Sequence, residues 1–138
     1  MTQAAILCVD DERMILESLQ EQISRNFRDR FLYEAAESGE EALEIIDELY
    51  EEGIQIVVIV SDWLMPEMRG DEFLVRVHQQ FPDITTIMLT GQADEDAIDR
   101  AKREANLYCC IHKPWTEEEL IEIITAGLKL AWTNWLFF

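Results

Sequence analysis

The stretch "IQIVVIVSD", residues 54–62, is apolar and β-branched at every position from 56 to 60, and only Gln55 interrupts the run before Ser61. β-Branched side chains favour a pleated strand, and a run without alternation suits a strand covered on both faces. Met65, Pro66 and Gly70 then punctuate a loop, after which Phe73, Leu74, Val77 and Phe81 recur at helical spacing. One strand, a stiff loop and one helix are therefore expected in immediate succession.

The same unit recurs outward in both directions. Apolar runs at 5–9, 31–36, 84–89 and 108–111 read as four more strands. Helical patterns follow at Ile15, Leu19, Ile23 and Phe27; at Ala42, Ile45, Ile46 and Leu49; at Ala97, Ile98, Ala101 and Ala105; and, from Glu117, at Leu120, Ile121, Ile124 and Leu128. Ser38 with Glu41 and Thr116 with Glu119 have capping-box spacing and mark two helix starts. Five strand–helix units in 138 residues predict one α/β domain, a five-stranded parallel sheet with helices on both faces. Right-handed crossovers then bring every strand's C-terminal end to one edge, where ligands of open α/β sheets bind.

Charge narrows the partners. Eleven Lys and Arg against 29 Asp and Glu leave a net −18, which opposes direct nucleic acid binding and attraction to an anionic membrane. A cation or another protein fits better. The 49% hydrophobic content supplies a core, so the acidity does not signal disorder. Cys8, Cys109 and Cys110 lack zinc-type spacing and lie in strand-like runs, which predicts free thiols and a reducing, cytoplasmic setting. No apolar run approaches the roughly 20 residues of a membrane span, and no secretory leader is expected.

The strand ends carry the chemistry. Asp10 and Asp11 follow the first strand, Asp62 the third, Thr90 the fourth and Lys113 the fifth. Singly, each has an ordinary structural role: Thr90 before Gly91 as a turn, Lys113 as a strand-end cation, Asp62 as a helix cap. Together they bring three carboxylates, a hydroxyl and an ammonium to one edge. Clustered carboxylates either stay partly protonated or take a cation, and an oxygen-only set suits Mg2+. Transfer of a phosphoryl group to a carboxylate uses such a set, with cations against the phosphoryl oxygens and a hydroxyl bonded to one of them.

In order, "CVDDE", "VSDWLMPEMRGDEFL", "MLTG" and "HKPW" resemble the receiver domain of two-component response regulators over residues 4–130. The resemblance implies a flavodoxin-like sheet of order 2-1-3-4-5 with Asp62 on its central strand as phosphoacceptor. It also implies Mg2+ held by Asp10, Asp11, Asp62 and the backbone carbonyl of Leu64. Thr90 and Lys113 would bind the phosphoryl group and signal its arrival, and the bond before Pro114 would be cis. Trp63, Leu64 and Gln92 would flank the pocket. The implied partner is a sensor histidine kinase or a phosphotransfer protein. The implied role is a signalling module that catalyses only its own phosphorylation and dephosphorylation.

One position departs from the family: Cys110 stands where receivers usually carry an aromatic ring three residues before the lysine, with Tyr108 two residues earlier and expected on the same side of the strand. Two other readings compete. A Mg2+-dependent aspartyl-phosphate phosphatase would need its nucleophile and second acid two residues apart after the first strand, which Asp10, Asp11 and Glu12 do not separate by role. A protein-contact module without phosphorylation would not need the full constellation. His78 and His112 read as surface or strand-end polar groups. The segment 131–138 is expected to continue the last helix, as a dimer contact or a linker to an effector domain after Phe138.

Overall fold

The computed structural model describes residues 3–91 and 95–136, with side chains described as far as residue 130. Its elements are β1 (Ala4–Val9), α1 (Arg13–Phe27), β2 (Leu32–Ala36), α2 (Gly39–Glu51), β3 (Gln55–Asp62), α3 (Gly70–Gln80), β4 (Thr85–Thr90), α4 (Glu95–Glu104), β5 (Cys109–His112) and α5 (Glu117–Leu136). A 3-10 turn, Arg28–Arg30, joins α1 to β2. The strands form one parallel sheet in the order β2-β1-β3-β4-β5. This is the α/β doubly wound, flavodoxin-like fold expected above.

Strand alternation divides the apolar residues between two layers. Ala5, Leu7 and Val9 of β1, with Ile59 and Met88, face Ala42 and Ile46 of α2, Phe73, Leu74 and Val77 of α3, and Ala101 of α4. Ile6 and Cys8, with Val58, Val60, Ile87, Leu89 and Ile111, face Leu16, Leu19 and Ile23 of α1 and Leu120 and Ile124 of α5. Burial pushes the Cys8 thiol up to about 12, so it stays protonated and unreactive inside that second layer.

The register contains one irregularity. Ala5 pairs with Ile56 but Ile6 pairs with Val58, so Val57 is an extra residue in β3. Val57 and Val58 consequently join the same layer, which strict alternation forbids.

Strand boundaries differ from the sequence expectation by one or two residues, and the ends of β3 and β4 and the start of β5 bear on the site. β3 and β4 run on to include Asp62 and Thr90 rather than stopping before them, because the ladder continues: Asp62 pairs with Leu89, and Trp63 N–H donates to Leu89 O at 2.9 Å. Tyr108 precedes β5, so alternation does not govern it. Its ring edge lies against α5, 3.7 Å from where a Cβ on Gly127 would be, while Cys110 packs into the layer covered by α2, α3 and α4. The two are therefore not on one side of the strand. At the start of α2, Ser38 Oγ accepts from Glu41 N–H as a cap should, but the Glu41 carboxylate accepts from Glu37 N–H, one residue further back than a capping box requires.

Candidate functional site

β1 and β3 end side by side. Val9 pairs with Ser61, so the chain delivers Asp10 next to Asp62, and Asp10 N–H donates to Ala36 O of β2 at 3.1 Å. Asp10 is wholly buried and Asp62 nearly so, while Asp11 is exposed at the rim. One oxygen from each of Asp10, Asp11 and Asp62 falls within 4.8 Å of the others. From β5, Lys113 reaches across: its Nζ lies 2.9 Å from Asp62 Oδ1 and 3.3 Å from Asp10 Oδ2. The other Asp10 oxygen, Oδ1, accepts from Glu12 N–H at 2.8 Å, which fixes the carboxylate against the start of α1.

The electrostatics follow from this crowding. Burial lifts the Asp62 carboxyl above its ordinary value; the Lys113 ammonium offsets part of the lift, and the Asp10 charge adds to it. Asp10 is likewise raised by burial, against the opposing pull of the Glu12 N–H and of Lys113. Burial works against the Lys113 charge, yet its bonds to Asp62 and Asp10 outweigh that and hold the ammonium above its usual value. Three acids face one cation here. Such a site favours a further positive charge, and oxygen donors from carboxylates fit Mg2+.

Thr90 is buried at the end of β4, opposite His112 of β5, and Lys113 N–H donates to Thr90 O at 2.8 Å. Backbone thus couples Thr90 to the lysine. The Lys113–Pro114 bond is cis. Trp115 follows, and its indole Nε1–H donates to Gln22 Oε1 of α1 at 2.8 Å. Leu64, two residues past Asp62, is 63% exposed, and Cys110 is half-buried against the layer covered by α2, α3 and α4. Gln92 lies outside the described residues.

Two features of the β3–α3 loop escaped the sequence reading. Gly70 N–H donates to Trp63 O at 2.7 Å, and a Cβ on Gly70 would sit 2.0 Å from Asp62 O, so the start of α3 packs directly on the backbone at the end of β3. Asp71 is wholly buried, with Oδ2 3.1 Å from Arg69 and 3.6 Å from Arg100 of α4. The conspicuous glycine marked the first position only as a loop residue. Nothing in the sequence signals a pairing across the 29 residues that separate Asp71 from Arg100.

An acid triad, a half-buried lysine and a threonine at the C-terminal edge of a 2-1-3-4-5 sheet define a receiver-type site. The response regulator receiver domain family matches residues 6–125, and the chain belongs to that family. It is 31% identical over 127 residues to the hydrogenase transcriptional regulatory protein HoxA of Cupriavidus necator, covering 92% of this chain and 24% of that one. The chain thus spans about a quarter of that relative. It is 31% identical to the chemotaxis protein CheY homolog of Campylobacter jejuni, covering 88% of this chain and 93% of that one. Among solved structures, the signal receiver domain of an HD domain-containing protein from Pseudomonas fluorescens superposes with a TM-score of 0.84 at 29% identity, over 95% of this chain and 98% of that one. The chain is a response regulator receiver domain, the kind of module found in two-component signalling. Among the described residues no helix is long and apolar enough to cross a membrane.

Proposed function

We propose that Asp62 accepts a phosphoryl group from a sensor histidine kinase or phosphotransfer protein, and that the chain catalyses this transfer and the later hydrolysis itself. The observation that carries the reading is the Lys113 ammonium 2.9 Å from the Asp62 carboxylate, with Asp10 and Asp11 beside it. An oxygen of Asp62 attacks phosphorus, the bond from phosphorus to the donor breaks, and the donor leaves with the electron pair. Lys113 then faces the new dianion, and the Thr90 hydroxyl, at the adjoining strand end, donates to one of its oxygens.

Asp10, Asp11, Asp62 and the Leu64 carbonyl would hold Mg2+, whose charge, when bound, offsets that of the phosphoryl oxygens. Residues 1–130 would form the receiver, and α5, helical to Leu136, would lead toward a second protomer or an effector domain after Phe138; residues 137 and 138 lie outside the described residues. Free cysteines and the kinase partnership fit the cytoplasm. The direct test is incubation with acetyl phosphate and Mg2+: the intact mass should rise by one phosphoryl group. A mass unchanged at saturating donor would instead favour a contact module without phosphorylation.

Mg2+ should stabilise the fold, since a ligand held only by the native state adds about 2.7 kcal/mol when present at 100 times its Kd. In Asp11→Ala, the melting temperature without metal should equal or exceed that of the parent, because one of three neighbouring charges is gone. Its rise with millimolar Mg2+ should be much smaller. Equal rises in the two proteins would remove Asp11 from the ligand set.

Lys113→Ala should still take phosphate, more slowly, and should fail to transmit it. NMR shift changes along α4 and β5 on phosphorylation should shrink, because the charge that senses the dianion is missing. The variant also leaves Asp10 and Asp62 buried without their cation, a loss of about 3 kcal/mol that Mg2+ should largely restore. Unchanged shifts in α4 and β5 would confine Lys113 to the chemistry.

A further inference from the structure

At the opposite edge of the sheet from the acids, a groove of about 350 Å³ opens between the end of α2, the start of β3 and the turn from α3 into β4. Ile46, Tyr50, Ile54, Phe81, Pro82 and Ile84 line it. Its wall is aromatic: the Tyr50 and Phe81 rings lie 5.4 Å apart and tilted, and Tyr50 is 69% exposed. A tyrosine ring held open to solvent beside half-buried Ile54, Phe81 and Ile84 is an apolar surface left uncovered among the described residues.

Helix α5 runs past that same edge. Thr85, the first residue of β4, donates its hydroxyl to Gly127 O at 3.4 Å, so α5 has reached the sheet's N-terminal edge by Gly127. It remains helical to Leu136 and therefore projects roughly 13 Å further at 1.5 Å per residue. Residues 128–138, "LKLAWTNWLFF", contain Trp132, Trp135, Phe137 and Phe138, with Lys129 and no acid, on a chain of net −18. Asp83 lines the groove, and Glu51 and Glu52 follow Tyr50 at the end of α2.

We propose that the groove receives the aromatic end of α5 from a second copy of the chain, the two copies exchanging ends about a two-fold axis. The groove and the α5 end lie on opposite faces of the sheet, and the helix carries its end away from its own groove along its axis. A two-fold pair satisfies both surfaces at once, since each copy supplies one groove and one end. Four rings per copy, at about 150–250 Å² each, reach over two copies the roughly 1,200–2,000 Å² of a standard stable interface. The end carries Lys129 and no acid, so it adds no repulsion between two strongly acidic molecules, and moderate salt should strengthen the pairing by screening the remainder.

Sedimentation of the 138-residue chain at low and moderate salt, with a benzophenone amino acid placed at position 135 in a parallel sample, tests this. The expected result is a dimer that tightens with salt, with crosslinks from position 135 to residues 46–56 or 80–84 found only in the dimer band. Tyr50→Asp, at an exposed ring whose loss leaves the fold intact, and Trp135→Asp should each weaken the dimer about tenfold or more. A chain monomeric throughout overturns the proposal. So does a dimer indifferent to Tyr50→Asp, a crosslink to any other segment, or a crosslink to the groove within the monomer band, which would make the occupant the chain's own end.

Discussion

With Asp62→Asn, acetyl phosphate and Mg2+ are expected to leave the intact mass unchanged under conditions that fully label the parent chain. The substitution keeps the shape of the side chain and an oxygen within reach of Lys113, so folding and the β3–β4 register should persist. What it removes is the anionic oxygen that forms the bond to phosphorus, and a neutral amide does not replace it. Neither neighbouring acid is a ready substitute. Both Asp10 oxygens are engaged, one by Glu12 N–H and one by Lys113, and the side chain is wholly buried. Asp11 is exposed and lies off the strand that Lys113 addresses at 2.9 Å. Labelling of Asp62→Asn equal to that of the parent would move the phosphoacceptor elsewhere and with it the roles assigned to Thr90 and Lys113.

How far the sequence alone reaches is visible at these residues. Asp10, Asp62, Thr90 and Lys113 were legible because each is a polar residue at the end of an apolar run, and parallel topology sends all such ends to one edge. The geometry brings Asp10, Asp11, Asp62 and Lys113 together and ties Thr90 to Lys113 through the backbone. The extra residue Val57 was not legible. In an unbroken β-branched run a slip of register changes no hydrophobic pattern, so the sequence carries no trace of it. Tyr108 departs from alternation for a related reason: it lies one residue before the ladder, where a hydrogen bond from its N–H to Thr86 O leaves the ring free to turn toward α5. The groove at Tyr50 and Phe81 was invisible, because its walls come from three segments that are adjacent only in the fold.

Glycine shows the same limit from the other side. Gly70→Ala is expected to lower stability by about 3 kcal/mol or more and the melting temperature by roughly 10 °C, and to slow phosphate uptake. The reason is space and not backbone conformation, since Gly53 is the glycine with positive φ among the described residues and Gly70 is not. A Cβ at Gly70 would lie 2.0 Å from Asp62 O and 2.9 Å from the Trp63 Cα. Both obstacles are main chain at the end of β3, where Asp62 sits, so no rotamer change relieves the contact. α3 or the end of β3 must move, and either movement shifts Asp62 relative to Lys113 and loosens the bond from Gly70 N–H to Trp63 O. Gly39→Ala provides the comparison. Its Cβ would meet Met68 Sδ at 3.0 Å, the far end of a flexible side chain that can yield, and alanine suits the first turn of α2 better than glycine does. That variant should stay within about 1 kcal/mol of the parent and take phosphate normally. Thermal melts and labelling rates of the two side by side decide the point. If Gly70→Ala proves as mild as Gly39→Ala, the close approach of α3 to the Asp62 backbone does not hold Asp62 in place.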